Sequence, residues 1–105
     1  MSLRKVGRFG ELLAGAYLKG KGYKILERNW YCQGGEIDIV ALKNGRMVFV
    51  EVKYVRNNRH IDPWDLFTRK KQRSLLRSIS KYLKEAKNMS RDWDCYFKAV
   101  CCSSP

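Results

Sequence analysis

The sequence predicts an α/β domain, a mixed sheet sandwiched with two helices. Apolar residues recur at helical or strand spacing in the order helix, strand, strand, strand, helix, strand. An Asn44-Gly45 pair between two β-rich runs marks a tight hairpin, because both central residues of a type I′ turn need positive φ. A length of 105 residues suits one domain over 1–105 and leaves no room for a second.

Each element has its own warrant. Leu3 to Lys21 is expected to be a helix, with Leu12, Leu13, Ala16 and Tyr17 as its apolar stripe and Gly20 and Gly22 ending it. Tyr23 to Trp30 is a short strand, followed by a Cys32-Gln33-Gly34-Gly35 loop. Glu36 to Leu42 and Met47 to Val55 are the hairpin strands. His60 to Phe67, which contains Pro63, is irregular. Thr68 to Asn88 is a long helix whose apolar stripe is Leu75, Leu76, Ile79, Tyr82, Leu83 and Ala86. Asp94 to Cys102 is the last strand, and Ser103-Ser104-Pro105 a frayed end.

The charge balance is what departs from the ordinary. Lys and Arg number 22 against 10 Asp and Glu, a formal net charge of +12. On so small a domain this favours a polyanionic partner, by attraction and counterion release. Nucleic acid is the commonest such partner, and an anionic membrane surface the alternative. No apolar run reaches the roughly 18 residues that span a bilayer, and no signal-type stretch follows Met1-Ser2-Leu3-Arg4-Lys5, so a cytoplasmic protein without a membrane partner is expected. Cys32, Cys95, Cys101 and Cys102 form no C-x-x-C pair and His60 stands alone, which argues against structural zinc. Free thiols are expected instead.

The hairpin register places chemistry. With Lys43 opposite Arg46, facing residues pair Ala41 with Val48, Ile39 with Val50 and Ile37 with Val52, all apolar on one face. On the other face Leu42 meets Met47 and Val40 meets Phe49. Farther from the turn, Asp38 should then meet Glu51, and Glu36 should meet Lys53. Two carboxylates opposite each other destabilise a sheet unless a cation compensates. A hard divalent ion, Mg²⁺ or Mn²⁺, suits oxygen ligands. Lys53 beside it would balance charge on a phosphate, and the parts would suit phosphodiester hydrolysis. The plainer alternative is an exposed face with a Glu36–Lys53 surface pair.

Glu11 in the first helix has small neighbours at helical spacing, Gly7, Ala14 and Gly15. They let that side approach another surface closely, so Glu11 could reach the acidic patch. An ion pair with Arg8 is the alternative.

Lys70, Arg73, Arg77, Lys81 and Lys84 recur at three- and four-residue spacing on the second helix, a ridge able to track phosphates. Lys71, Lys87 and Arg91 add charge. Arg56 and Arg59 follow the hairpin in a loop expected near the site. Trp64 and Phe67 are candidates for stacking but more ordinarily pack, and no role is assigned to them.

The order Glu11, Gly35-Glu36-Ile37-Asp38-Ile39-Val40-Ala41 and Val48-Phe49-Val50-Glu51-Val52-Lys53 resembles the YraN family of uncharacterised bacterial proteins. Gly20-Lys21-Gly22-Tyr23 and Arg28-Asn29 add to the match. The pattern is also similar to archaeal Holliday-junction resolvases of the PD-(D/E)xK superfamily. That resemblance implies a restriction-endonuclease-like mixed sheet flanked by helices. It implies Asp38 and Glu51 as metal ligands with the Val52 carbonyl, Lys53 as the catalytic lysine, and Glu11 as the acid of the first helix. Glu36 belongs to the family signature, and its role stays open. Ile37 stands where the superfamily has Pro, and the chain stops at Cys101-Cys102-Ser103-Ser104-Pro105 where relatives continue.

The expected function is therefore a divalent-metal-dependent endonuclease acting on DNA, with branched, Holliday-junction-like DNA implied by the resolvase resemblance alone. Symmetrical cutting of a junction would need a homodimer. The alternatives are a non-catalytic nucleic-acid-binding module of the same fold, and a structural protein that docks an acidic partner by its basic face.

Overall fold

A computed structural model describes the backbone of residues 3–56, 65, 67–85 and 94–104, and side chains for 9–53, 65, 67–85 and 98. The elements are α1 (Leu3–Gly20), β1 (Lys24–Cys32), β2 (Gly35–Lys43), β3 (Arg46–Arg56), α2 (Arg69–Glu85) and β4 (Asp94–Ser104). Their order is the expected one. The four strands form one sheet in the order β1-β2-β3-β4. β1 pairs with β2 and β2 with β3 in antiparallel fashion, and β4 joins β3 in parallel. The sheet is mixed, and with a helix packed on it from each cluster of core residues the fold is α/β, compatible with a restriction-endonuclease-like architecture. Ser103 and Ser104 pair with Val55 and Arg56, so the segment expected to fray is strand up to Ser104. Gly35 likewise pairs with Cys32 rather than belonging to a loop.

Two apolar layers hold the sheet. On the α1 side Ala14 and Leu18 pack with Ile39, Ala41, Val48 and Val50. On the α2 side Ile37, Val40, Met47, Phe49, Leu75 and Tyr82 form the second cluster. Tyr82 stands edge-on to Trp30 and Phe49, at centroid distances of 5.3 and 5.9 Å. Such pairs add about 0.5–1.5 kcal/mol each beyond their burial.

The face that α1 buries differs from the one expected. Leu12, Leu13 and Tyr17 are 64%, 43% and 49% exposed, and Ala16 is exposed too. The buried stripe is Gly10, Ala14, Gly15 and Leu18. Small residues let the helix axis lie close to the sheet, and closeness outweighs side-chain size in choosing the face. A stop of the Schellman type ends α1: Tyr23 N–H donates to Leu18 O and Gly22 N–H to Lys19 O, both at 3.0 Å, with Gly22 at φ +90°. On α2, Leu76 is 65% exposed while Ser78 is buried in its stead, and Ala86 lies outside the described residues.

The Asn44-Gly45 turn has φ of +52° and +73°, as type I′ demands. From it the ladder runs as expected, Lys43 with Arg46 through Ile39 with Val50. There it stops, and Ile37 joins the α2-side cluster although Ile39 lies in the α1-side one. The alternation of faces breaks at Asp38. In β1, Asn29 lies between the residues paired with Ile37 and Ile39, and it adopts φ +51°. The irregularity is thus shared by both strands. It puts Asp38 where the β2–β3 ladder ends.

Candidate acidic and lysine site at the hairpin end

Asp38 and Glu51 are buried carboxylates, only 7% and 8% exposed. The amide of Val52 donates to Asp38 Oδ2 at 2.8 Å. In a continuing ladder that amide would serve the Ile37 carbonyl. The splayed strands let a side chain take its place. Lys53 Nζ lies 3.3 Å from Glu51 Oε1. Residues 51 and 53 are two apart on one strand, so they share a face. This corrects both expected pairs, Asp38 opposite Glu51 and Glu36 opposite Lys53: the ladder ends at Ile39 and Val50, the Asp38 carboxyl takes the Val52 amide, and the lysine turns to its own strand's carboxylate. Glu36 is exposed and lines a cleft at the edge of the site.

A second lysine arrives from α2. Lys71 Nζ also lies 3.3 Å from Glu51 Oε1. Thr68 accepts the Lys71 amide on its hydroxyl at 3.2 Å and so caps the helix start that carries this side chain. In the sequence Lys71 only adds to the charge of this helix. The missed signal is its place on the helix: Lys71, Leu75, Ser78 and Tyr82 follow at three- and four-residue spacing, and the last three are buried. A cation on a core-facing stripe needs a partner.

The electrostatics bind these groups into one unit. Burial first, then the charge of Glu51, push the Asp38 carboxyl up to about 7. Glu36 and Glu11 add to the rise, and the Val52 amide opposes it. Lys53 is pulled below its usual range by burial and by neighbouring Lys71, against the attraction of Glu51. Burial lowers Lys71 as well, but its interactions with Lys53, Glu51 and Asp38 outweigh this, and its net shift is upward. Asp38 therefore feels Glu11 from α1 and Lys71 from α2.

Of the expected site residues, Asp38, Glu51 and Lys53 meet, and Glu11, half-buried, lies close enough to act on Asp38. Among the described residues no three acids converge into a ready metal cage. Asp38 and Glu51 still fit as two oxygen ligands of a hard cation, because burial and then the charge of Glu51 raise the Asp38 carboxyl to about 7, and a divalent ion would relieve that repulsion. Lys70, Arg73, Arg77, Lys81 and Lys84 are all exposed on α2, as a ridge requires. Arg56 ends β3, with its side chain outside the described residues; Arg59 and Trp64 lie outside them altogether. Phe67 is half-buried and packs against the α2-side core.

Fold and site together define a small α/β domain with a buried acid pair and two lysines at the end of its central hairpin. The family described as "Uncharacterised protein family UPF0102" matches residues 10–101, and the chain belongs to it. This is the family to which the YraN resemblance pointed. A UPF0102 protein of Chlorobium chlorochromatii is 40% identical over 96 residues, covering 91% of this chain and 72% of the relative. One from Syntrophomonas wolfei is 46% identical over 81 residues, 77% of this chain and 70% of its own. One from Alkaliphilus oremlandii is 39% identical over 97 residues, 92% and 83% respectively. Among the described residues no helix is long and apolar enough to cross a membrane.

Proposed function

We propose that this protein is a divalent-metal-dependent endonuclease that hydrolyses phosphodiester bonds of DNA. The observation that carries the reading is the buried Asp38–Glu51 pair with Lys53 held 3.3 Å from Glu51, in a chain of net charge +12. Asp38 and Glu51 would hold Mg²⁺ or Mn²⁺. When bound, the cation supplies Lewis-acid stabilisation of the phosphate and activation of water. The protein's own residues do the rest. The Val52 amide donates to Asp38 Oδ2 and so fixes the orientation of that carboxyl. Lys53 balances negative charge that develops on the phosphate. The exposed cations of α2 bind the flanking backbone without reading sequence.

One observation favours a second reading, a nucleic-acid-binding module without turnover: two lysines occupy one oxygen of Glu51. Labelled linear, single-stranded and four-way-junction DNA, incubated with Mg²⁺, Mn²⁺ or EDTA, separates the two. Cleavage in metal that disappears in EDTA, in Asp38→Asn and in Lys53→Ala is the expected result. Binding without cleavage in any metal selects the second reading. Preference for the junction, with two cuts per complex, would add branched-DNA specificity and a homodimer.

A further inference from the structure

A cleft of about 220 Å³ opens beside the acid pair, lined by Gly35, Glu36, Glu51, Lys71, Ser74 and Leu75. It lies between the start of β2, the middle of β3 and the first half of α2. Its size is below the usual range for a whole small-molecule ligand, and it suits a group the size of a phosphodiester on a chain that passes by. We propose that this cleft is a phosphate-binding subsite for the DNA backbone, with Lys71 as its phosphate ligand. The inference rests on the nucleic-acid reading above and adds to it a residue from α2.

Three observations carry it. Lys71 is the only side chain of α2 among the described residues that forms an ion pair at the site. Glu51 already has Lys53 on the same oxygen, so Lys71 is not needed to neutralise it. The Lys71 side chain is still 51% exposed at the cleft, and an ammonium has donors to spare for a second acceptor. Two ammonium groups on Glu51 also screen the carboxylate that would otherwise repel a phosphate on the cleft floor.

The cleft is connected to the basic ridge. Ser74 lines it, and at helical spacing Ser74 neighbours Lys70 and Arg77. The same helix is clamped to the β1–β2 turn: Ser74 Oγ donates to Gly34 O at 3.2 Å, and Lys81 Nζ donates to Gln33 O. Gly35 touches α2 so closely that a Cβ there would fall 2.4 Å from Ser78 Oγ. The cleft wall is therefore held in place on three consecutive residues, Gln33, Gly34 and Gly35. A backbone leaving the cleft past Ser74 would meet Lys70, Arg77 and Lys81 next.

The test measures DNA affinity across a salt series in EDTA, and cleavage in Mg²⁺ or Mn²⁺, for the wild type, Lys71→Met, Lys71→Arg and the remote control Lys19→Met. Melting temperatures report whether each variant is folded. Lys71→Met should weaken binding by about ten- to a hundredfold, the loss of one charge-assisted hydrogen bond. It should also reduce the slope of log affinity against log salt by about one. Lys71→Arg should restore both, and Lys19→Met should change neither. If Lys71 only neutralises Glu51, Lys71→Met alters the melting temperature while its salt slope equals that of Lys19→Met, and the proposal is overturned. If the wild type binds DNA with a Lys71-dependent slope yet never cuts it, the nuclease reading fails and the subsite stands. If the wild type cuts DNA and Lys71→Met binds and cuts equally well, the subsite fails and the nuclease reading stands.

Discussion

The amide of Val52 donates its hydrogen bond to the side chain of Asp38, 2.8 Å away, and not to a carbonyl of the facing strand. A carboxylate thus finishes the hairpin where the ladder stops at Ile39 and Val50. The bond favours ionised Asp38, while burial and the charge of Glu51 disfavour it. The second pair of effects wins.

The pH dependence of stability follows from that outcome. Asp38 holds its proton up to about 7 in the folded protein, whereas an unfolded Asp releases it near ~3.9. The folded state then binds more protons than the unfolded one between those values, so stability falls as pH rises through this window and is flat beyond it. The slope contributed by Asp38 approaches about 1.4 kcal/mol per pH unit. In metal-free buffer the gap in stability between Asp38→Asn and wild type should widen in favour of the variant from pH 4 to pH 7. A gap that stays constant in urea titrations across this range would sink the assignment.

Lys53 and Lys71 share Glu51 but should separate in kinetics. Lys53→Met should lower single-turnover cleavage by about a hundred- to a thousandfold, the usual effect of removing one transition-state stabiliser. DNA affinity should change little, because Lys71 remains at 3.3 Å from Glu51 to hold its charge. Equal losses of binding and turnover would contradict this division.

Gly35 is required by α2. A Cβ at that position would lie 2.4 Å from Ser78 Oγ and 3.0 Å from Ser74 Oγ. Gly35→Ala should cost about 1–3 kcal/mol in chemical denaturation, as overpacking does. Adding Ser78→Ala removes the nearer obstacle and should recover part of that loss. Additive penalties in the double variant would show that the two positions do not meet.

The two sides of α1 should respond in opposite ways. Leu18 is fully buried, so Leu18→Ala should cost about 2–5 kcal/mol. Leu12 is 64% exposed, and Leu12→Ser should stay within about 0.5 kcal/mol. A large loss at Leu12 in thermal melts would mean that the apolar face seen in the sequence is the one the protein buries.

What the sequence made legible was local. The Asn44-Gly45 turn dictated the pairing from Lys43–Arg46 to Ile39–Val50, since a two-residue turn leaves one register. Small residues around Glu11 correctly marked the close-packed side of α1, while the larger apolar residues marked the wrong one. Asp38, Glu51 and Lys53 came together because two of them share a strand and the third lies near the end of the same hairpin. The switch of Ile37 to the other layer was not legible, because periodicity carries no signal for the positive φ of Asn29 in the neighbouring strand. Lys71 was hidden for another reason: its role depends on how a helix 20 residues from Glu51 lies against the sheet.

The parallel partnership of β3 and β4 has a kinetic consequence. The meander of β1, β2 and β3 makes contacts between near neighbours in sequence, which form early because little loop entropy opposes them. β4 pairs with β3 from Arg46–Asp94 to Arg56–Ser104, and each such contact closes a far longer loop. The hairpin can zip from Asn44-Gly45 through its apolar pairs and halt where Asp38 and Glu51 repel. The strand bearing Glu51 and Lys53 therefore gains its second neighbour late in refolding, and stopped-flow refolding should register the sheet's hairpin before the competent site.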